Sequence, residues 1–123
     1  MAERSYWYVA TTPLSVPHWT EVTSYETEVR GERVLVPMLF TTREKAEAEL
    51  RSIVEEEADV YLQAVGEYGE KAMNAALDNT PEHQVFEIGA WLLGEHLKDS
   101  DVTYVVVDDR MWSAGELQEE LGS

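Results

Sequence analysis

Two carboxylates, Asp108 and Asp109, stand side by side directly behind the apolar run Val102–Val107. Paired acids at the end of a strand are a common way to hold Mg²⁺ or Ca²⁺. His83 and Glu87 are four residues apart, and on one helix face both would reach the same ion. These four are the candidate metal ligands. No H-E-x-x-H occurs, and Asp99 and Asp101 lack the glycine and distant glutamate of an EF-hand loop. The competing reading makes Asp108 and Asp109 solvated turn residues. It is the one expected here, with no cofactor.

Other chemistry finds less support. The chain has no cysteine, which removes disulfides, thiolate nucleophiles and thiolate metal sites together. No G-x-S-x-G is present, and the three histidines, His18, His83 and His96, fall in unrelated segments. Gly66-Glu67-Tyr68-Gly69-Glu70-Lys71 has neither the spacing of a phosphate loop nor a hydroxyl after the lysine, and its two glutamates would repel phosphate. No catalytic residue is nominated. Aromatic residues are the remaining resource. Tyr6, Trp7 and Tyr8 are expected in the core, whereas Trp19, Tyr25 and Trp112 are the candidates for binding a partner or ligand.

The elements that would position these residues can be read from the same sequence. Its 123 residues are one domain's worth, spanning 1–123. Hydrophobic residues make up 44 %, enough for a packed core. Tyr6–Thr12 reads as a strand buried on both faces, ended by Pro13. Trp19–Arg30, with a bulge near Val22, turns at Arg30-Gly31-Glu32 into Arg33–Phe40. Pro37 lacks an N–H, so this second strand is an edge or is bulged there. Thr41-Thr42-Arg43-Glu44 fits a capping box with Thr41 as N-cap. Ala46, Leu50, Ile53, Val54, Ala58, Tyr61, Leu62 and Val65 then keep a helical period from Thr42 to about Val65, in preference to a strand over Val60–Val65. A shorter helix follows from Tyr68 to Asn79. A third begins at Thr80-Pro81 and runs to Leu97 with a wide apolar face. Val102–Val107 is a central strand, and Ser113-Ala114-Gly115-Glu116 opens a last helix. The order is β-β-β-α-α-α-β-α. It implies an α+β fold of two layers, a four-stranded mixed sheet with helices mainly on one face.

Within this frame, Val34-Leu35-Val36-Pro37-Met38-Leu39-Phe40-Thr41-Thr42-Arg43-Glu44-Lys45-Ala46 resembles the strand-to-helix signature of SseB-like domains. The resemblance covers residues 34–46. It implies a small α/β fold and an intracellular bacterial origin, and carries no catalytic residue onto this chain.

Charge narrows the function classes. Asp and Glu number 25 against 9 Lys and Arg, for a formal charge of -16. Such a surface repels nucleic-acid phosphates and anionic membranes. No secretory signal and no spanning segment is read, so a cytoplasmic protein is expected. The leading expectation is a non-enzymatic interaction or regulatory domain, of bacterial or phage origin, that binds a protein partner or its own copy as a homodimer. The alternative is a small metal-dependent enzyme or ligand-binding domain centred on Asp108 and Asp109. An acidic mimic of DNA is third, because Arg43, Lys45 and Arg51 interrupt the acidic face formed by Glu44, Glu47, Glu55 and Asp59.

Overall fold

The computed structural model describes residues 4–11, 13, 14, 16–71, 74, 75 and 82–122. Its elements are β1 (Ser5–Ala10), β2 (Ser24–Val29), β3 (Glu32–Leu39), α1 (Arg43–Tyr68), β4 (Gln84–Gly89), α2 (Ala90–Lys98), β5 (Tyr104–Val107), β6 (Arg110–Ser113) and α3 (Ala114–Leu121). The class is α+β. The larger sheet is mixed and four-stranded, in the order β2-β3-β5-β6, while β1 and β4 form an antiparallel pair. The pair is joined to the larger sheet. Trp7 and Phe40 exchange both backbone hydrogen bonds at 2.8 Å, and the Thr23 N–H donates to the Val9 carbonyl at 2.8 Å.

Alternation along β1 explains why its sequence is apolar at every position from Tyr6 to Ala10. Tyr6, Tyr8 and Ala10 point to one face, where they meet Leu39, Ile88, Val105 and Val107 beneath Leu93 and Leu97 of α2 and Leu117 of α3. Trp7 and Val9 point to the other, with Phe40 and Val85, beneath Ala46, Leu50 and Ile53 of α1. Thus α2 and α3 share one face and the first turns of α1 cover the opposite one. Each fully buried leucine here contributes about 1.5–3 kcal/mol. The Tyr8 hydroxyl donates to the Leu14 carbonyl at 3.1 Å, and burial pushes its pKa up to about 12.

Two turns fix the hairpins. Arg30 and Gly31 both have positive φ, 52° and 84°, and so do Asp108 and Asp109, 50° and 69°. Both central residues of a type I′ turn need this conformation, whose twist matches that of the flanking strands. The first turn joins β2 to β3, and the second joins β5 to β6.

The structure differs from the sequence reading at several places. Helices cover both faces rather than mainly one, β2 begins at Ser24 rather than Trp19 because residues 19–21 form a turn, and β3 is an interior strand between β2 and β5. The helix expected up to Leu97 is instead β4 followed by α2. Val85, Phe86 and Ile88 alternate across β4, which pairs with β1 from Ser5↔Gly89 to Ala10↔Gln84. A short apolar run fits either period, and the open edge of β1 decides it. Next, Arg110–Ser113 forms β6, because the tight Asp108-Asp109 turn folds the chain straight back on β5. Finally, α1 starts one residue later than expected. Thr42 is the N-cap, its hydroxyl accepting from the Lys45 N–H at 3.3 Å. The expected Ser113 cap is present, its hydroxyl accepting from the Glu116 N–H at 3.1 Å. Residues 60–65 lie within α1. Residues 72, 73 and 76–79 of the expected second helix, and the Thr80-Pro81 start, lie outside the described residues.

Candidate functional site

The parallel strands β3 and β5 are paired at only two rungs, Met38↔Val106 and Leu39↔Val107. Before these rungs the strands part, and an open cleft of about 620 Å³ lies between them. One wall is the turn His18-Trp19-Thr20. The floor includes Leu35 and Pro37 of β3, and the far wall is the segment from Asp99 to Tyr104 with His96 of α2. The Trp19 and His96 rings lie 5.1 Å apart. Trp19 Nε1 and His96 Nε2 are both buried without a hydrogen-bond partner among the described residues. Burial lowers the His96 pKa from 6.5, as does His18, against the opposing pull of Asp99 and of a hydrogen bond to the Pro17 backbone. His96 is therefore a neutral imidazole at pH 7.

A hydroxyl and an imidazole do meet in this cleft. Thr20 Oγ1 and His18 Nδ1 are 2.8 Å apart. Both residues are exposed and only two apart in one turn, the ordinary setting of a side-chain bond that shapes a turn rather than activates a nucleophile.

A second hollow, of about 290 Å³, is lined by Arg4, Tyr6, Thr41, Asp108, Trp112 and Glu120 among others. Arg110 sits 4.3 Å from the Trp112 ring centroid, in cation–π geometry. Arg4 donates to the Glu120 carbonyl at 2.9 Å. Asp108 Oδ1 accepts from the Thr41 N–H at 3.1 Å and Oδ2 accepts from the Thr41 hydroxyl, and Lys45 Nζ lies 3.0 Å from the same Oδ2. Burial pushes the Asp108 carboxyl up, but these bonds outweigh it and hold the pKa below 3.8. Asp108 thus ties the β5–β6 turn to the start of α1.

The candidate metal ligands are not brought together as anticipated. His83 and Glu87 do not share a helix, since Glu87 lies in β4 and His83 just precedes it. Four residues of extended chain separate them by about 13 Å, too far for one ion. His83 Nδ1 instead approaches Glu57 of α1 at 3.6 Å. Among the described residues no three His, Asp or Glu side chains converge as a metal site would require.

Of the aromatic candidates, Trp19 lines the larger cleft and Trp112 the smaller hollow, while Tyr25 sits partly exposed on β2, paired with Val36. The structure places the three at separate points. Sequence reasoning missed His96, Asp99 and Leu35 as cleft residues. Pro37 was the available signal, because a strand that must do without one N–H is where a ladder stops.

The distal half of α1 is a third surface. Beyond Ile53 the apolar stripe continues, but Val54, Val60, Leu62 and Tyr68 are all exposed, Leu62 at 67 % and Tyr68 at 73 %. Val54, Ala58 and Leu62 recur at four-residue spacing and so form one exposed row. Around it lie Glu55, Glu56, Glu57, Asp59 and Glu67, with no Lys or Arg between Arg51 and the end of the helix. Trp91, at the start of α2, is exposed as well. Among the described residues, no helix is long and apolar enough to cross a membrane.

No protein-family model, curated protein or solved structure matches this chain.

Proposed function

We propose that the chain is a non-enzymatic protein-interaction domain and that the distal half of α1 is its principal contact surface. The carrying observation is the exposed apolar row Val54–Ala58–Leu62 on a helix whose remaining charges at that level are all acidic. Large apolar side chains held in water by a folded helix cost stability that contact with a partner recovers. The surrounding carboxylates select the partner's charge. A basic rim around an apolar centre would be attracted, whereas a second copy would set acid against acid. A basic partner protein is therefore favoured over a homodimer, and nucleic acid is repelled.

The interruptions Arg43, Lys45 and Arg51 lie on the proximal half, and Arg43 is engaged with Glu47 at 2.8 Å. The purely acidic part of α1 is also its apolar part, which fits a protein contact better than imitation of a phosphate backbone. The reading of Asp108 and Asp109 as a catalytic or metal centre is weakened, since Thr41 and Lys45 occupy Asp108. The test is retention of proteins from a host lysate by the wild type and by a Val54→Ser, Leu62→Ser variant. The reading expects a protein held by the first and lost from the second.

A further inference from the structure

We infer that the cleft between β3 and β5 receives an extended basic peptide segment, which adds a strand to the open edge of β3. The inference rests on the reading of the chain as an interaction domain and gives a partner class to a second surface of it.

Backbone direction carries the argument. In an antiparallel ladder, successive residues present their N–H and C=O alternately to the two sides of a strand. The Met38 N–H donates to the Thr23 carbonyl, on the β2 side. In the β2–β3 register, Val36 and Val34 share this direction. Arg33, Leu35, Pro37 and Leu39 therefore face the β5 side. For Leu39 this is seen directly, as its carbonyl accepts from the Asp108 N–H at 3.1 Å. The ladder to β5 begins at Met38, immediately after the proline that has no N–H to give it. Upstream, Leu35 offers a donor and an acceptor to a side where no described strand lies. An incoming strand there would continue the line of β5 backwards.

The cleft also has the chemistry to choose such a strand. Leu35, 71 % exposed, Trp19 and Val102 supply apolar contact. Among the described lining residues Asp99 and Asp101 are acidic and none is Lys or Arg. Main-chain bonds provide affinity in this mode of recognition, and alternate side chains provide specificity. A segment alternating apolar residues with Lys or Arg matches the cleft in both respects. Two unpartnered ring nitrogens in its wall, Trp19 Nε1 and His96 Nε2, leave polar groups that a bound segment could satisfy after a small shift.

The probe is a phage-displayed library of random peptides of roughly twelve residues, panned on the full chain. Apolar residues alternating with Lys or Arg should be enriched. A synthetic winner should lose about tenfold or more in affinity when alternate backbone amides are N-methylated, and little when the intervening ones are. Leu35→Pro removes an N–H that no described strand uses, and should weaken the same peptide comparably while the melting transition persists. Leu35→Ala keeps the N–H and should cost less. Asp99→Asn with Asp101→Asn should weaken binding and flatten its salt dependence. If Leu35→Pro unfolds the chain, the N-methyl series decides alone. Failure to enrich any sequence, enrichment of acidic sequences, or indifference to N-methylation at every position would overturn the inference. Loss of a lysate partner in the Val54→Ser, Leu62→Ser variant would still stand in that case, so failure at the cleft is distinguishable from failure of the interaction-domain reading.

Discussion

Thr41 donates twice to Asp108, through its backbone N–H and through its hydroxyl, and so fastens the β5–β6 turn to the chain just before α1. Two residues 67 apart in sequence thereby set where the long helix leaves the sheet. Thr41→Val removes one donor to a carboxylate and should lower stability by about 1–2 kcal/mol in denaturant unfolding. The folded-state pKa of Asp108 lies below 3.8, so this contribution is present above that pH and is lost as pH falls through the depressed value. The difference between wild type and variant should therefore close in strong acid. A difference that is constant down to pH 2 would contradict the assignment.

Helix capping separates Thr41 from its neighbour. Thr42→Ala should cost about 0.5–2 kcal/mol through loss of the cap bond to Lys45. Its cost should not depend on the ionisation of Asp108. Measuring both threonine variants from neutral pH down to pH 2 distinguishes the cap from the clamp.

His96 gives a second pH window. Its folded-state pKa is lowered from 6.5, chiefly by burial. The unfolded chain therefore binds the proton more readily, and stability falls as pH drops below about 6.5 towards the folded-state value. Melting temperature should decline across this range in the wild type. His96→Phe, which fills the same space without titrating, should flatten the decline. An unchanged slope in that variant would place the titration elsewhere.

Much of the fold was legible in the sequence because local chemistry and tertiary demand agreed. The helical period from Ala46 to Val65 and the run Val102–Val107 each gave one element of the right kind. Pro37 announced an edge or a bulge, whereas β3 lies inside the sheet between β2 and β5, and Pro37 falls where its ladder to β5 stops. Residues 84–89 were not legible. Val85, Phe86 and Ile88 satisfy both periods at so short a length, and only the unfilled edge of β1, a partner nearly eighty residues away, makes them a strand (Val85 pairs with Val9 and Ile88 with Tyr6). The cleft was less legible still. It exists because two parallel strands part before Met38 and Val106, and Pro37, which has no N–H to give, is the one local mark of that separation. His96 and Trp19 meet there from segments that carry no shared motif.

The Asp108-Asp109 turn offers a direct stability gain. Asp109 holds φ at 69°, a conformation that glycine adopts without the clash of a Cβ. Asp109→Gly should raise stability by about 0.5–1 kcal/mol, net of the extra backbone entropy that glycine loses on folding. Thermal unfolding of the purified variant measures it, and a loss of stability would show that the Asp109 side chain makes a contact of its own.

The exposed row on α1 should be nearly silent in stability. Leu62→Ser removes a side chain that is two-thirds in water and should change stability by no more than about 0.5 kcal/mol. Leu50→Ala, beneath which Phe40 and Val9 pack, should cost roughly 2 kcal/mol or more. A large loss from Leu62→Ser would mean that the distal helix is held by the chain's own core.

The most direct measurement is a comparison of what wild type and the Val54→Ser, Leu62→Ser variant retain from host lysate, each at low and at high salt. The account predicts a basic protein on the wild type, reduced by salt through screening of Glu55–Glu57 and Asp59 yet not abolished, because the apolar row persists. It predicts that the same protein is absent from the variant, whose melting temperature is unchanged. Equal retention by both forms, or no protein on either while a small molecule stays bound to the purified chain, would contradict it.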